Sequence, residues 1–155
     1  MAVPNTFTDG TVAYSADVNE NFTNIENYLG YAEITTPFQT AATPTVTDVT
    51  NLAVTVTVPS GGRKVKITAW AYNISTSSAA TTGVATYIYE GVTCLSATSH
   101  IQATASYSQQ DTVIAVKTPS AGSHTYKVAV SQSTAGTLTL QADATYPAFI
   151  LVEQI

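Results

Sequence analysis

From Tyr31 onward the chain alternates apolar and polar residues with period two, the signature of strands that bury one face. Asn51–Pro59 sets Leu52, Val54, Val56 and Val58 against Ala53, Thr55 and Thr57. After a Ser60-Gly61-Gly62 turn, Lys64–Tyr72 directs Val65, Ile67, Ala69 and Ala71 one way. Lys64, Lys66, Thr68, Trp70 and Tyr72 point the other way. Asn73–Thr82 reads as a small polar loop. Gly83–Val92 places Tyr87 and Tyr89 opposite Val84, Thr86 and Ile88. Cys94–Tyr107 alternates weakly and reads as one strand or two short ones. Thr112–Lys117, His124–Ser131, Thr137–Ala144 and Ala148–Val152 complete the set, with turn chemistry in Pro119–Ser123 and Ser133–Gly136. Eight or nine strands with no helices between them argue against βαβ topology. They predict an antiparallel β-sandwich or jelly roll.

Residues 1–30 break this rhythm. Val18, Phe22, Ile25 and Leu29 follow one another at helical spacing, Ser15 or Asp17 can cap the start, and Gly30 supplies a stop. The pattern predicts an N-terminal helix, and a division into an anchor segment (1–30) and a β domain (31–155). A helix this short is marginal alone in water. It therefore docks on its own β domain, or joins Val18, Phe22, Ile25 and Leu29 of three copies in a homotrimeric seam. The 4-3-4 spacing and the position at the chain end favour the seam.

Composition sharpens this picture. The chain has 28 Thr and 13 Ser among 155 residues, while charged residues make up only 10%. Thr is branched at Cβ and suits a neutral, polar strand surface. Ten acidic against five basic residues give a net charge of −5, which argues against binding a phosphate backbone, so no nucleic-acid partner is expected. The one basic cluster, Arg63-Lys64-Val65-Lys66, reads as a solvated strand edge. No apolar run is long enough to span a bilayer, and Met1–Asp9 shows no signal-peptide pattern. No membrane insertion is expected, and synthesis in a cytoplasm is.

No active site emerges from the residues. His100 and His124 have no ligand-spaced Cys, Asp or Glu beside them and read as surface or interface histidines. Cys94, the single cysteine, reads as a small buried apolar residue. The acidic residues are scattered, with no close pair for glycoside hydrolysis, and no cofactor or metal is implied. What remains is a wealth of Tyr. Trp70, Tyr72, Tyr87, Tyr89 and Tyr107 are candidates either for aromatic packing inside the sandwich or for exposed platforms that contact a glycan or partner.

The run Pro4-Asn5-Thr6-Phe7-Thr8-Asp9-Gly10-Thr11, followed by Ala16-Asp17-Val18-Asn19-Glu20-Asn21-Phe22, resembles the N-terminus of tailed-bacteriophage fibre, spike and head-decorating proteins. Thr118–Tyr126 and the ending Pro147–Glu153 are similar to the last strands of small trimeric phage jelly rolls, although the chain ends Glu153-Gln154-Ile155 without that family's usual terminal motif. The resemblance implies a non-enzymatic homotrimer of the virion, assembled in the host cytoplasm. Its N-terminal segment, including Pro4, Phe7, Gly10 and Val12, would be attached to the particle. The partners implied are other copies of itself and phage capsid or tail proteins. With no shaft repeat, capsid decoration or head fibre stands ahead of a short tail fibre that recognises host-surface glycans. A carbohydrate-binding jelly-roll module is the third reading, and the chain lacks that class's calcium-loop pattern.

Overall fold

The computed structural model describes residues 28–41, 45–59, 62–103 and 108–155. Ten strands follow in order: β1 (Tyr28–Ile34), β2 (Phe38–Thr40), β3 (Thr47–Val58), β4 (Val65–Thr76), β5 (Thr82–Glu90), β6 (Thr93–Gln102), β7 (Ser108–Lys117), β8 (Gly122–Gln132), β9 (Leu138–Gln141) and β10 (Ala148–Gln154). Every pairing is antiparallel. One sheet carries β3-β8-β5-β6. In the other, the long β4 pairs on one flank with β7 and on the other with β10 and β9 laid end to end; β1 and β2 then pair with β10 and β9.

The ten segments thus occupy eight strand positions, with two of them interrupted, in the layout of a jelly roll. Pro37, which has no N–H to give a ladder, sits in the first interruption. In the second, Asp143 Oδ1 accepts bonds at 2.7 Å from the backbone N–H groups of both Thr145 and Tyr146, folding the chain into an Asx turn.

The inner faces hold the core. Leu52, Ile67, Ile74, Ile88, Leu138, Leu140, Ile150 and Tyr126 are essentially inaccessible to solvent. The face of β4 read from sequence as apolar (Val65, Ile67, Ala69, Ala71) is the buried one, and β5 buries Val84, Thr86 and Ile88 as expected.

One margin of the interior is polar. The inner face of β6 carries Ser96, Thr98, His100 and Gln102, opposite Ile88, Thr86, Val84 and Thr82. Gln102 ties this row to the neighbouring strands. Gln102 Oε1 accepts from Thr76 N, and its Nε2 donates to Ile74 O and His100 Nε2, each at 3.0 Å. Thr76 Oγ1 donates to Gln132 Oε1 at 2.7 Å. Because Gln102 presents its amide N–H to His100 Nε2, that nitrogen accepts and the ring proton sits on Nδ1. Nδ1 lies 3.4 Å from Asp111 Oδ1 without completing a hydrogen bond. Asp111 Oδ2 accepts from the Thr86 hydroxyl at 2.5 Å.

Several sequence expectations need correction. Val18, Phe22 and Ile25, and with them most of the expected helix, lie outside the described residues, as do Pro4, Phe7, Gly10, Val12 and Tyr107. The end of that helix is not helical: Leu29 and Gly30 belong to β1, and Leu29 packs partly buried against the core of its own chain. Gly30 is no left-handed stop. A Cβ there would come within 2.7 Å of Val54 and Val56, so glycine lets β1 close onto β3. The loop expected at Asn73–Thr82 is shorter, because Asn73–Thr76 continues β4 beside β9 and Thr82 begins β5. β4 is a central strand, not an edge, and Lys66 pairs with Glu153 at 2.7 Å. Cys94 is exposed. Both histidines are mostly covered and paired with acids distant in sequence.

Candidate functional site

Of the aromatic candidates, Trp70, Tyr72, Tyr87 and Tyr89 fall on the outer faces of opposite sheets, not inside the sandwich. Trp70 and Tyr72 project from β4. Trp70 stacks on Phe149 with ring centroids 5.6 Å apart, Phe149 meets Tyr31 at 5.7 Å, and Tyr72 meets Tyr146 at 5.2 Å. Phe149 and Trp70 are register partners, while Tyr31, opposite Leu151, reaches Phe149 diagonally, so the row crosses β1, β10 and β4 at a slant. Burial and the neighbouring Glu33 carboxylate push the Tyr31 phenol up to about 12.

Tyr87 and Tyr89 project from β5 on the other sheet, with ring centroids 5.9 Å apart, and Tyr87 OH lies 3.1 Å from Ser131 Oγ. Here the surface forms a groove of about 540 Å³ lined by Val46, Thr47, Asp48, Tyr89, Gly91, Val92 and Lys127. That volume lies within the range of small-molecule sites. Its construction is local and legible. Tyr89 and Lys127 are register partners on β5 and β8. Lys127 Nζ sits 6.0 Å from the Tyr89 ring centroid and 2.6 Å from Asp48 Oδ2.

Asp48 reaches this position through a bulge in β3. The register shifts between Asp48 and Ala53, and Asn51 within the bulge takes φ 64°. Asn tolerates that left-handed conformation better than most residues, and bulges commonly re-aim a side chain beside a site. The far wall is the β5–β6 hairpin. Gly91, with φ 57°, takes the positive φ that this tight turn needs, and the turn leaves Val92 projecting into solvent. Burial raises the Tyr89 phenol above its ordinary value, with the Cys94, Tyr87 and Asp48 charges adding to the rise. Tyr89 therefore stays a neutral hydroxyl donor at any physiological pH.

The groove thus offers an aromatic ring, a carboxylate acceptor, an ammonium donor and the Thr47 hydroxyl. Among the described residues, Asp48 is its one lining carboxylate. Sequence reasoning found Tyr87 and Tyr89. It missed Asp48 and Lys127, which lie 79 residues apart in the chain. No local sequence signal joins them, because the pairing of β3 with β8 and the bulge at Asn51 bring them together. Among the described residues no group of His, Cys, Asp and Glu is arranged to hold a metal ion, and no helix is long and apolar enough to cross a membrane.

Fold and groove together define a jelly-roll β-sandwich with aromatic outer faces. No family model matches the sequence, and no curated protein matches it. Among solved structures, the chain is similar to the EclA C-terminal domain, a sugar-binding protein (11% identity, TM-score 0.44, 77% of this chain and 78% of that one). It is also similar to a carbohydrate-binding module of Cellvibrio mixtus lichenase 5A in complex with cellotriose (13%, 0.37, 83% and 98%). A third likeness is to the enzymatically active domain of tailspike protein 4 of bacteriophage CBA120 (14%, 0.31, 86% and 20%). With TM-scores of 0.44 and lower these likenesses are loose, and the functional reading rests on the geometry.

Proposed function

We propose that this chain is a non-enzymatic glycan-binding jelly-roll module whose sugar site is the Tyr89 groove. The observation that carries this reading is the half-buried Tyr89 ring lying beside the Asp48–Lys127 ion pair in an open groove. A pyranose has an apolar C–H face and a rim of hydroxyls. The ring packs the face, while the carboxylate accepts from the rim and the ammonium and Thr47 hydroxyl donate to it. Hydrolysis would need a second carboxyl about 5–10 Å across the scissile bond, and among the described residues none lines the groove. Glu90, next to Tyr89 in the chain, turns away to contact His124 Nδ1 at 2.5 Å.

The test is a glycan array probed with the labelled full chain, with retained sugars checked for new reducing ends. Selective retention without cleavage is expected. Failure to retain any glycan, or release of reducing ends, overturns the proposal.

A second reading is favoured by a different observation. The lower half of the opposite face exposes Tyr31 (40%), Ile114 (52%) and Val116 (52%) beside Phe149, Trp70 and Leu151. The charges within this patch are Glu33 and the paired Lys66 and Glu153, so copies of a chain of net charge −5 meet there with little repulsion. On this reading the module is a subunit of a homotrimeric phage virion protein, a capsid decoration, head fibre or tail fibre, that displays the groove outward. Sedimentation of the full chain tests it: a trimer that Ile114→Asp dissociates supports it, and a monomeric wild type removes it.

A further inference from the structure

A second polar concavity lies on the outer face of the sheet that carries β4, opposite the Tyr89 groove. It forms where two irregularities coincide. β4 shifts register against β7 between Ala71 and Ile74. At the same level β10 stops pairing with β4 at Trp70, and β9 starts at Asn73. The resulting cleft, of about 330 Å³, is lined only by hydroxyl and amide side chains, among them Asn73, Ser75, Ser77, Ser108, Thr139 and Gln141. The Tyr72–Tyr146 pair begins one residue along β4 from Asn73.

One atom in this cleft lacks a partner. Asn73 Oδ1 is buried and accepts no hydrogen bond from the described residues. A buried amide oxygen left in that state costs about 1–3 kcal/mol, and native structures rarely leave one without a purpose. A hydroxyl group, which both donates and accepts, satisfies such an oxygen. None of the described residues that line the cleft is charged, so they have nothing to offset the desolvation of an ionic ligand.

We infer that the Asn73 cleft is a second sugar site, selective for a neutral pyranoside whose hydroxyl pairs with the Asn73 amide and whose ring packs toward Tyr72 and Tyr146. This inference goes beyond the proposed groove and stands on separate residues. Two sugar sites on opposite faces make one chain a bridge between two glycan surfaces.

The experiment follows the side-chain amide resonances of Asn73 and Gln141 in the full-length, isotope-labelled protein. The probes are methyl glucopyranoside, methyl galactopyranoside and N-acetylglucosamine, with N-acetylneuraminic acid as the charged control. The expected result is saturable shifts of both amides with at least one neutral probe, at a dissociation constant of about 1–10 mM, and no shift with the charged control. Tyr89→Ala leaves these shifts intact, which separates this site from the groove. Asn73→Leu weakens the binding about tenfold, as loss of one hydrogen bond implies. Unmoved Asn73 and Gln141 amides in the wild-type protein, or shifts that vanish in Tyr89→Ala, overturn the inference, and neither result requires the Asn73 variant to fold.

Discussion

Replacing Gly30 with alanine adds one methyl group between β1 and β3. That carbon would stand 2.7 Å from Val54 Cγ2 and 2.7 Å from Val56 Cγ1, roughly 1 Å inside ordinary carbon–carbon contact. Neither neighbour yields easily. Both are β-branched with a stiff first torsion, and Val56 is buried in the core. The strand itself must therefore move. Overpacking of this kind costs about 1–3 kcal/mol, and the lower entropy of an unfolded alanine offsets about 0.4–1 kcal/mol of it.

The net loss of about 1–2 kcal/mol lowers the midpoint of thermal unfolding by roughly 2–8 °C in a domain of this size. Trp70 fluorescence during thermal and urea unfolding reads the change. A Val54→Ala background removes one of the two clashes and leaves the one with Val56 Cγ1, so the double variant retains about 0.5 kcal/mol more stability than the two single losses predict. Wild-type or higher stability for Gly30→Ala, or strict additivity with Val54→Ala, would refute the packing of β1 on β3.

Two further outcomes are expected. His124 Nδ1 contacts Glu90 Oε1 at 2.5 Å, and its Nε2 lies 2.9 Å from Ser120 O, so both nitrogens donate and the ring is held as imidazolium. The Glu90 bond raises its pKa above the usual histidine value, against the opposing effect of burial. The associated stability is fully present below about pH 6.5 and is lost as pH rises through the higher folded-state value. Urea unfolding should therefore show wild type exceeding His124→Gln by about 1–3 kcal/mol at pH 5.5, with the gap closing at alkaline pH; a gap that does not change with pH contradicts this. Tyr126 buries its hydroxyl without a partner among the described residues, and burial, with the Glu90 carboxylate adding to it, pushes its phenol up to about 12. Tyr126→Phe should be neutral or stabilising by up to about 1 kcal/mol in the same assay, and a clear loss of stability would show that the hydroxyl is paired.

The strands β4, β5 and the second half of β3 were legible because each buries one apolar row and turns outward a row that is Thr-rich in β3 and aromatic in β4 and β5. β6 was not, because its pattern is reversed. Ser96, Thr98, His100 and Gln102 face inward while Ile101 faces solvent, and a polar inner row is stable only because Asp111, Thr86 and Thr76, supplied by other strands, meet it there. The end of β4 looked like a loop since Asn73–Thr76 is mostly small and polar, yet pairing with β9 covers Ile74 and Thr76 completely or nearly so. Leu29 and Gly30 completed a helical spacing that a strand residue and a close-approach glycine also satisfy. At the groove, alternation placed Tyr87 and Tyr89 on the outer face. Asp48 and Lys127 required knowing that β3 and β8 are neighbours and that β3 bulges at Asn51.

The most direct test of the groove is isothermal titration of the strongest array-selected glycan into wild type and Tyr89→Ala, each confirmed folded by its unfolding transition. A sugar face covering about 60–80 Å² of the ring contributes about 1.5–2 kcal/mol. The account predicts roughly 10–30-fold weaker binding by the variant. Equal affinity in the two proteins would contradict it.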